Sequence, residues 1–459
     1  MSFQTWTFAL FLAAVYPVYL LLRKTPFRAL WLLAASYVFY GWLHPLWPLL
    51  LLCATTVDYL AVLGMDKTRW KRTFLLLSLA NALALLGFFK YGDFIVETVN
   101  GLLKWAGAGY LLAAPKVLLP TGLAFYVFQS LTYTIGFYRG EVERETNFVR
   151  YAAFVAMFPA VSMGPIERAK NILPQLRQTP KISGQDVADG LSLFVVGLFK
   201  KLVLADWLGL YVDNVYNTLW KAEAPALILA TLAFSWRLYF DFSGYSDMAR
   251  GVARALGIRI MLNFNHPYLA TGLREFWRRW HISLSTWFRD YLYIPLGGNR
   301  RGAWATYRNL ILTMVLCGLW HEARWTFVIW GAYHGLGFVL TRRLEETSFY
   351  RQRVPRAVKV LWVFSFVSFG WIFFKAKTLA DAWTIITRIA RFAWADPKFP
   401  LVFVAMIAAA WLYQAVSESR FRAIFNPAPV RIAIVVLMIL AVAIFAQSDV
   451  KPFVYGGNF

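Results

Sequence analysis

Residues 309–340 read NLILTMVLCGLWHEARWTFVIWGAYHGLGFVL. Two apolar runs, 309–320 and 325–340, flank a short break holding an imidazole (His321), a carboxylate (Glu322) and a guanidinium (Arg324). A second imidazole, His334, lies about halfway along the second run. Each run is somewhat below the roughly 20 residues a helix needs to cross about 30 Å of hydrocarbon. Whether they lie in lipid or in a soluble core depends on the rest of the chain.

Of 459 residues, 59% are hydrophobic and 15% charged, with a mean hydropathy of +0.51. A soluble domain carries about 25% charged residues. Further apolar runs recur at 6–22, 29–43, 46–64, 73–89, 117–137, 191–210, 225–240, 359–374, 398–416 and 430–447. The pattern predicts a polytopic all-α membrane protein, one multi-pass domain over 1–459, with ten to twelve spanning or re-entrant segments. No internal repeat and no long polar domain interrupts it. The longest polar interval, 166–187, is expected to be a partly helical cytoplasmic loop, with "SGQD" (183–186) capping the next helix.

Net charge is 47 − 24, or +23. The basic residues come in short bursts between apolar runs, as at Arg23, Lys24 and Arg28, at Lys67 to Arg72, and at Arg342 to Arg356. That distribution is positive-inside and would also hold anionic lipid; it argues against a nucleic-acid surface. It puts the 23–28 and 66–72 loops in the cytoplasm, and Arg420, Arg422 and Arg431 there too, with both termini outside. Nothing basic precedes Arg23, so the first run lacks the n-region of a signal peptide. Cys53 and Cys317 sit in apolar runs and read as small hydrophobes, with no disulfide framework.

Chemistry-bearing residues crowd into 120–340. In DFSGYSDMARGVARALGIRI (241–260), "FSGYS" predicts a glycine turn with Ser243 or Asp247 capping the following helix. The alternative reading has Asp241 and Asp247 facing a cavity or an ionic partner, Arg237 being the obvious one for Asp241. In LREFWRRWHISLSTWFRDYLYIPLGGNRRG (273–302), Trp277, Trp280, His281, Leu284, Trp287, Phe288 and Tyr291 follow helical spacing, interleaved with Arg274, Arg278, Arg279 and Arg289. This predicts one amphipathic helix at or re-entering the interface. "IPLGGNRRG" then breaks it, forming either a plain turn or an anchor for an anionic group such as a phosphate. His321 and His334, 13 residues apart, would point roughly 220° apart on one straight helix. They share a site only if the chain breaks near 321–324. His334 is then either a hydrogen-bonding staple or a general base. No His-x-x-x-His pair and no cysteine ligand favours a metal.

Three stretches, FSGYSDMARGVARALGI, NFNHPYLATGLREFWRRWHISLSTWFRDYLYIPLGGNRRG and NLILTMVLCGLWHEARWTFVIWGAYHG, together resemble the membrane-bound O-acyltransferase family, in its bacterial alginate O-acetylation branch. The resemblance implies a ring of about eleven transmembrane helices with re-entrant segments around a central tunnel, with 115–345 as the catalytic core. It implies His334 as the catalytic histidine, His281 as a second functional one, and Trp320 and His321 as a further motif in which Glu322 replaces the usual glycine. Asn265, Arg289 and Asp247 are candidate substrate contacts. The implied donor is acetyl-CoA or a carrier-bound acyl thioester, with no bound cofactor. The implied acceptor is an extracytoplasmic polysaccharide, or a periplasmic partner that relays the acyl group, at the cell inner membrane. From another class, a lipid-linked sugar transporter or flippase would be expected to show paired repeats, and none is seen.

Overall fold

The structure is a computed structural model and describes residues 1–447 and 451–454. Every regular element among the described residues is helical, and the chain is an all-α, polytopic membrane protein. Among the described residues, four helices are long and apolar enough to cross a bilayer: Trp47–Lys67, Lys71–Trp105, Arg356–Lys375 and Ala428–Phe445. Trp6–Leu22 and Leu401–Ser417 are apolar but shorter, and most of the other runs fold as shorter or charge-bearing helices.

The chain divides into two compact units, Met1–Phe194 with Met248–Met261, and Val195–Asp247 with Leu262–Phe459. In the first, Pro48 sits in the opening turn of Trp47–Lys67, where its missing N–H costs no helical bond. Asp58, mid-way along that helix, is buried and accepts hydrogen bonds from the hydroxyls of Ser78 (2.7 Å) and Ser130. Hydroxyls thus satisfy a carboxylate that lipid could not. The 166–187 interval contains the helix Ala169–Arg177, as expected. After it, Ser183 Oγ accepts from the Asp186 amide (3.1 Å) while the Asp186 carboxylate accepts from the Ser183 amide (3.3 Å), a reciprocal cap.

The second unit contains every residue that the sequence singles out for chemistry. Here the "FSGYS" turn does not form: Ala224–Ala255 is one unbroken helix. Gly244 serves packing, since a side-chain carbon there would lie 2.8 Å from the carbonyl oxygen of Gly197. Close backbone approach, and not a turn, is the reason for this glycine. The ion pairs also differ from expectation. Arg237 pairs with Asp213 (2.6 Å), Asp241 with buried Lys201 (2.9 Å), and Lys201 also with Asp206 (2.8 Å). A lysine from an adjacent segment thus takes the place expected of the arginine one turn away.

Candidate functional site

The site is built on a helical hairpin. The first arm, Gly302–His321, stops where Glu322 turns extended, and the second, Trp325–Glu346, starts after an extended Arg324. The carboxylate of Glu322 pairs with the guanidinium of Arg324 across this break, both side chains being partly exposed. The arms lie backbone to backbone because glycines face each other's chains. A side-chain carbon on Gly318 would meet the Phe327 carbonyl oxygen at 2.1 Å, and one on Gly331 the Met314 carbonyl oxygen at 2.3 Å. Folding back brings the two histidines to either side of Trp330, whose ring centroid lies 5.3 Å from His321 and 4.9 Å from His334.

His334 is fully buried. Its imidazole is walled by Trp277 (5.3 Å between centroids), Trp330, Tyr333 (5.6 Å), Phe366 (5.6 Å) and Trp371 (6.3 Å). Neither ring nitrogen has a hydrogen-bond partner among the described residues. A staple must bond to something, and this ring does not. Burying polar atoms without partners costs about 1–3 kcal/mol, so the arrangement weakens the fold where it stands.

His281 is held in another way. The single amphipathic helix expected over this stretch is broken into Leu273–Arg279 and Ile282–Phe288, followed by a wider turn at Arg289–Tyr293. Trp280 is extended and His281 adopts a left-handed conformation, φ 43° and ψ 55°. Asn263 absorbs the amides that the break releases. Its carbonyl oxygen accepts from Ile282 N (2.9 Å), and its Oδ1 accepts from Ser283 N (3.1 Å) and Ser283 Oγ (2.9 Å). Oδ1 also lies 3.2 Å from Nδ1 of His281. Because that oxygen already accepts a backbone N–H, the imidazole nitrogen facing it must be the donor. Helical spacing alone misses this, since a long-range asparagine supplies the alternative to helical hydrogen bonds. The carboxylate of Glu345 caps the first short helix at Leu273 N (2.9 Å).

Ring contacts join the two histidines through the hairpin: His281 to His321 (6.2 Å), His321 to Trp330, and Trp330 to His334. Buried Trp320 packs on His281 (5.9 Å). The other candidates stand further from this line. Asn265 is exposed and its backbone N donates to Arg279 O (2.9 Å); Asp247 pairs with Lys200 (2.6 Å). Arg289 is exposed, pairs with Asp290 (2.7 Å), and lines a cavity of about 640 Å³. Arg274, Arg278 and Arg342 line the same cavity together with Glu345 and Glu346, the latter pairing with Arg274 (3.5 Å), and Phe288, Met314, Cys317 and Phe338 form its apolar wall. Trp277 belongs to both places, lining the cavity and touching the ring of His334. A basic, partly apolar chamber and a buried imidazole therefore share one wall.

The chain matches the membrane-bound O-acyltransferase family over residues 125–380. It is 41% identical over 378 residues to a probable alginate O-acetylase, AlgI, of Azotobacter vinelandii, covering 81% of this chain and 74% of that protein. It is 41% identical over 392 residues to a probable alginate O-acetylase of Pseudomonas aeruginosa, covering 83% and 74%. A peptidoglycan O-acetyltransferase of Helicobacter pylori is 35% identical over 418 residues, covering 82% and 78%.

Proposed function

This chain belongs to the membrane-bound O-acyltransferase family, and on that premise we propose that it carries an acetyl group from a cytoplasmic thioester across the membrane to O-acetylate an extracytoplasmic polysaccharide, with His334 as general base. The observation that carries the reading is the fully buried His334 imidazole, with neither nitrogen hydrogen-bonded among the described residues, beside a cavity lined by four arginines. A neutral imidazole in that setting can take the proton of an attacking hydroxyl. The proposed donor is acetyl-CoA or a carrier-bound acyl thioester. Both carry phosphate, which suits a chamber lined by Arg274, Arg278, Arg289 and Arg342. Trp277, shared by the chamber and His334, marks where the thioester end would meet the base.

His281 is proposed as a positioning residue. With Nδ1 donating to Asn263, the neutral ring has no proton on Nε2 to give to an oxyanion, so its support to the reaction runs through the kink it holds and its contact with His321. The acceptor class follows the relatives named as alginate and peptidoglycan acetylating enzymes. The acyl group would reach the polymer directly or through a periplasmic partner. The proposed location is the cell inner membrane with both termini outside, for which reporter fusions after residues 70 and 425 should score cytoplasmic; an external score at 70 inverts the topology.

The deciding experiment deletes the gene and measures ester-linked acetate on each extracellular polymer, with complementation by wild type and by His334→Ala. Polymer that is made but unacetylated, restored by wild type alone, supports the reading. Loss of the polymer itself would favour a transporter or flippase.

A further inference from the structure

Independently of the role proposed for His334, we infer that residues 452–454 form a strap, an intramolecular peptide ligand that seats on a buried charge cluster and ties the last helix to its unit. The cluster is Lys201 with Asp206 (2.8 Å) and Asp241 (2.9 Å), and all three side chains are buried. Lys201 and Asp206 come from adjoining helical segments, Lys200–Ala205 and Asp206–Asn217, and Asp241 from the long helix Ala224–Ala255. An ammonium has three N–H donors. Two go to these carboxylates, and the third goes to the carbonyl oxygen of Pro452 (3.1 Å). The second carboxylate oxygen of Asp241 accepts from the backbone N–H of Val454 (2.8 Å). Between these two bonds the Phe453 ring is buried, 4.7 Å from the Lys201 ammonium and 5.1 Å from the Tyr245 ring.

The cluster is incomplete by itself. Without the strap, one Lys201 N–H and one Asp241 oxygen would lie in the interior with no hydrogen-bond partner among the described residues. A buried charge left incompletely paired is costly. The net charge makes the same demand. One ammonium against two carboxylates leaves a negative excess, and Lys451 brings a positive charge into the field of Asp206. The seat therefore reads a defined peptide chemistry: a carbonyl and an N–H two residues apart, an aromatic ring between them that faces an ammonium, and a cation just before. The helix that precedes the strap, Ala428–Phe445, needs such an attachment. It is apolar and none of its side chains is buried, so packing along its length contributes little to holding it. Its end is held instead. The carbonyl oxygen of Phe445 accepts from Nε1 of Trp207 (2.8 Å), the residue next to Asp206, and the strap then fastens to the cluster itself.

The test is hydrogen–deuterium exchange on the full chain in lipid nanodiscs, read at the backbone amides of Val454 and Ala446. In wild type the Val454 amide should exchange at least about a hundredfold more slowly than in a synthetic peptide of residues 451–454. Phe453→Ala should speed it at least about tenfold. The Ala446 amide, which donates to Val442 O (3.0 Å) in the last turn of the helix, should speed up with it as the anchor is lost. Burial in lipid alone would also slow the Val454 amide, so Asp241→Leu is made as well. It removes the acceptor and leaves Lys201 paired with Asp206. Release like that of Phe453→Ala supports the seat, and a Val454 rate equal to wild type overturns it. In the combined variant the strap is already free, so its rate should not exceed that of the faster single variant. Peptide-like exchange in wild type, no response to Phe453→Ala, or fully additive gains in log rate overturn the strap. An Ala446 rate that holds while Val454 is released overturns the tie to the last helix. Phe453→Ala leaves the charged groups in place, so its two readings decide the question if Asp241→Leu fails to fold.

Discussion

His281 and His334 are both fully buried imidazoles in the same structural unit, and they differ at Nδ1, which faces Asn263 in His281 and has no hydrogen-bond partner among the described residues in His334. Around His281, one asparagine gathers the ring nitrogen, a hydroxyl and a backbone amide onto a single oxygen. Around His334 stand aromatic rings, and its nitrogens have no hydrogen-bond partner among the described residues. The first arrangement stabilises a left-handed kink. The second costs stability and keeps a basic nitrogen available. On the proposed reading, two residues of one type at similar depth take a positioning role and a chemical one according to their hydrogen bonds, not their burial.

The largest effect should come from His334. His334→Ala should lower polymer acylation by about 10²–10⁴-fold with normal membrane levels, measured as ester-linked acetate per mole of protein. His334→Leu should be equally inactive but melt no lower than wild type, because an apolar side chain removes unpaired polar atoms. A clear drop in melting temperature for His334→Leu would mean that the ring is a structural staple, and the contrast with His281 would collapse.

Asn263 sharpens the other half of the contrast. Asn263→Ala strands the hydroxyl of Ser283 and two N–H groups, and should cost about 1–3 kcal/mol of stability. Its rate should fall together with that of His281→Ala, and the double variant should be no worse than the more damaging single one. Fully additive losses in that double-mutant cycle would show the two residues acting independently.

A smaller effect is expected at the cavity. Arg289→Glu should raise KM for acetyl-CoA several-fold and leave kcat near wild type, since Arg289 lines the chamber and lies outside the ring contacts that enclose His334. If kcat falls and KM holds, the chamber is not where the donor is gripped. The smallest change should be Glu322→Gly. Its ion pair with Arg324 is part-exposed at the hairpin break, so losing it should cost about 0–1 kcal/mol and keep most of the activity. A tenfold rate loss without destabilisation would instead tie Glu322 to His321 and to the line of rings between the two histidines.

The membrane class and the break between His321 and Trp325 were legible in the sequence, which also singled out His334. Apolar runs and interrupting charges report directly on solvent, and a titratable ring inside such a run stands out against it. Spacing misled at "FSGYS" and at 273–291. Gly244 suggested a turn, although its purpose is close contact with the Gly197 backbone, and heptad-like aromatics suggested one helix although His281 breaks it. Asn263 opens one of the stretches that carry the resemblance, but its own role was not legible there, because it accepts hydrogen bonds from residues distant in the chain.

Composition and periodicity alone determined that this chain is a helical membrane protein, because burial in lipid constrains every residue of a span in the same way. The resemblance of three long stretches pointed to His334 as the proposed base. Tertiary structure decided which buried nitrogen is tied down and which is not, and what lies beside it. Hydrogen-bond satisfaction is a property of pairs of groups brought together by folding, and no single position in the sequence records it.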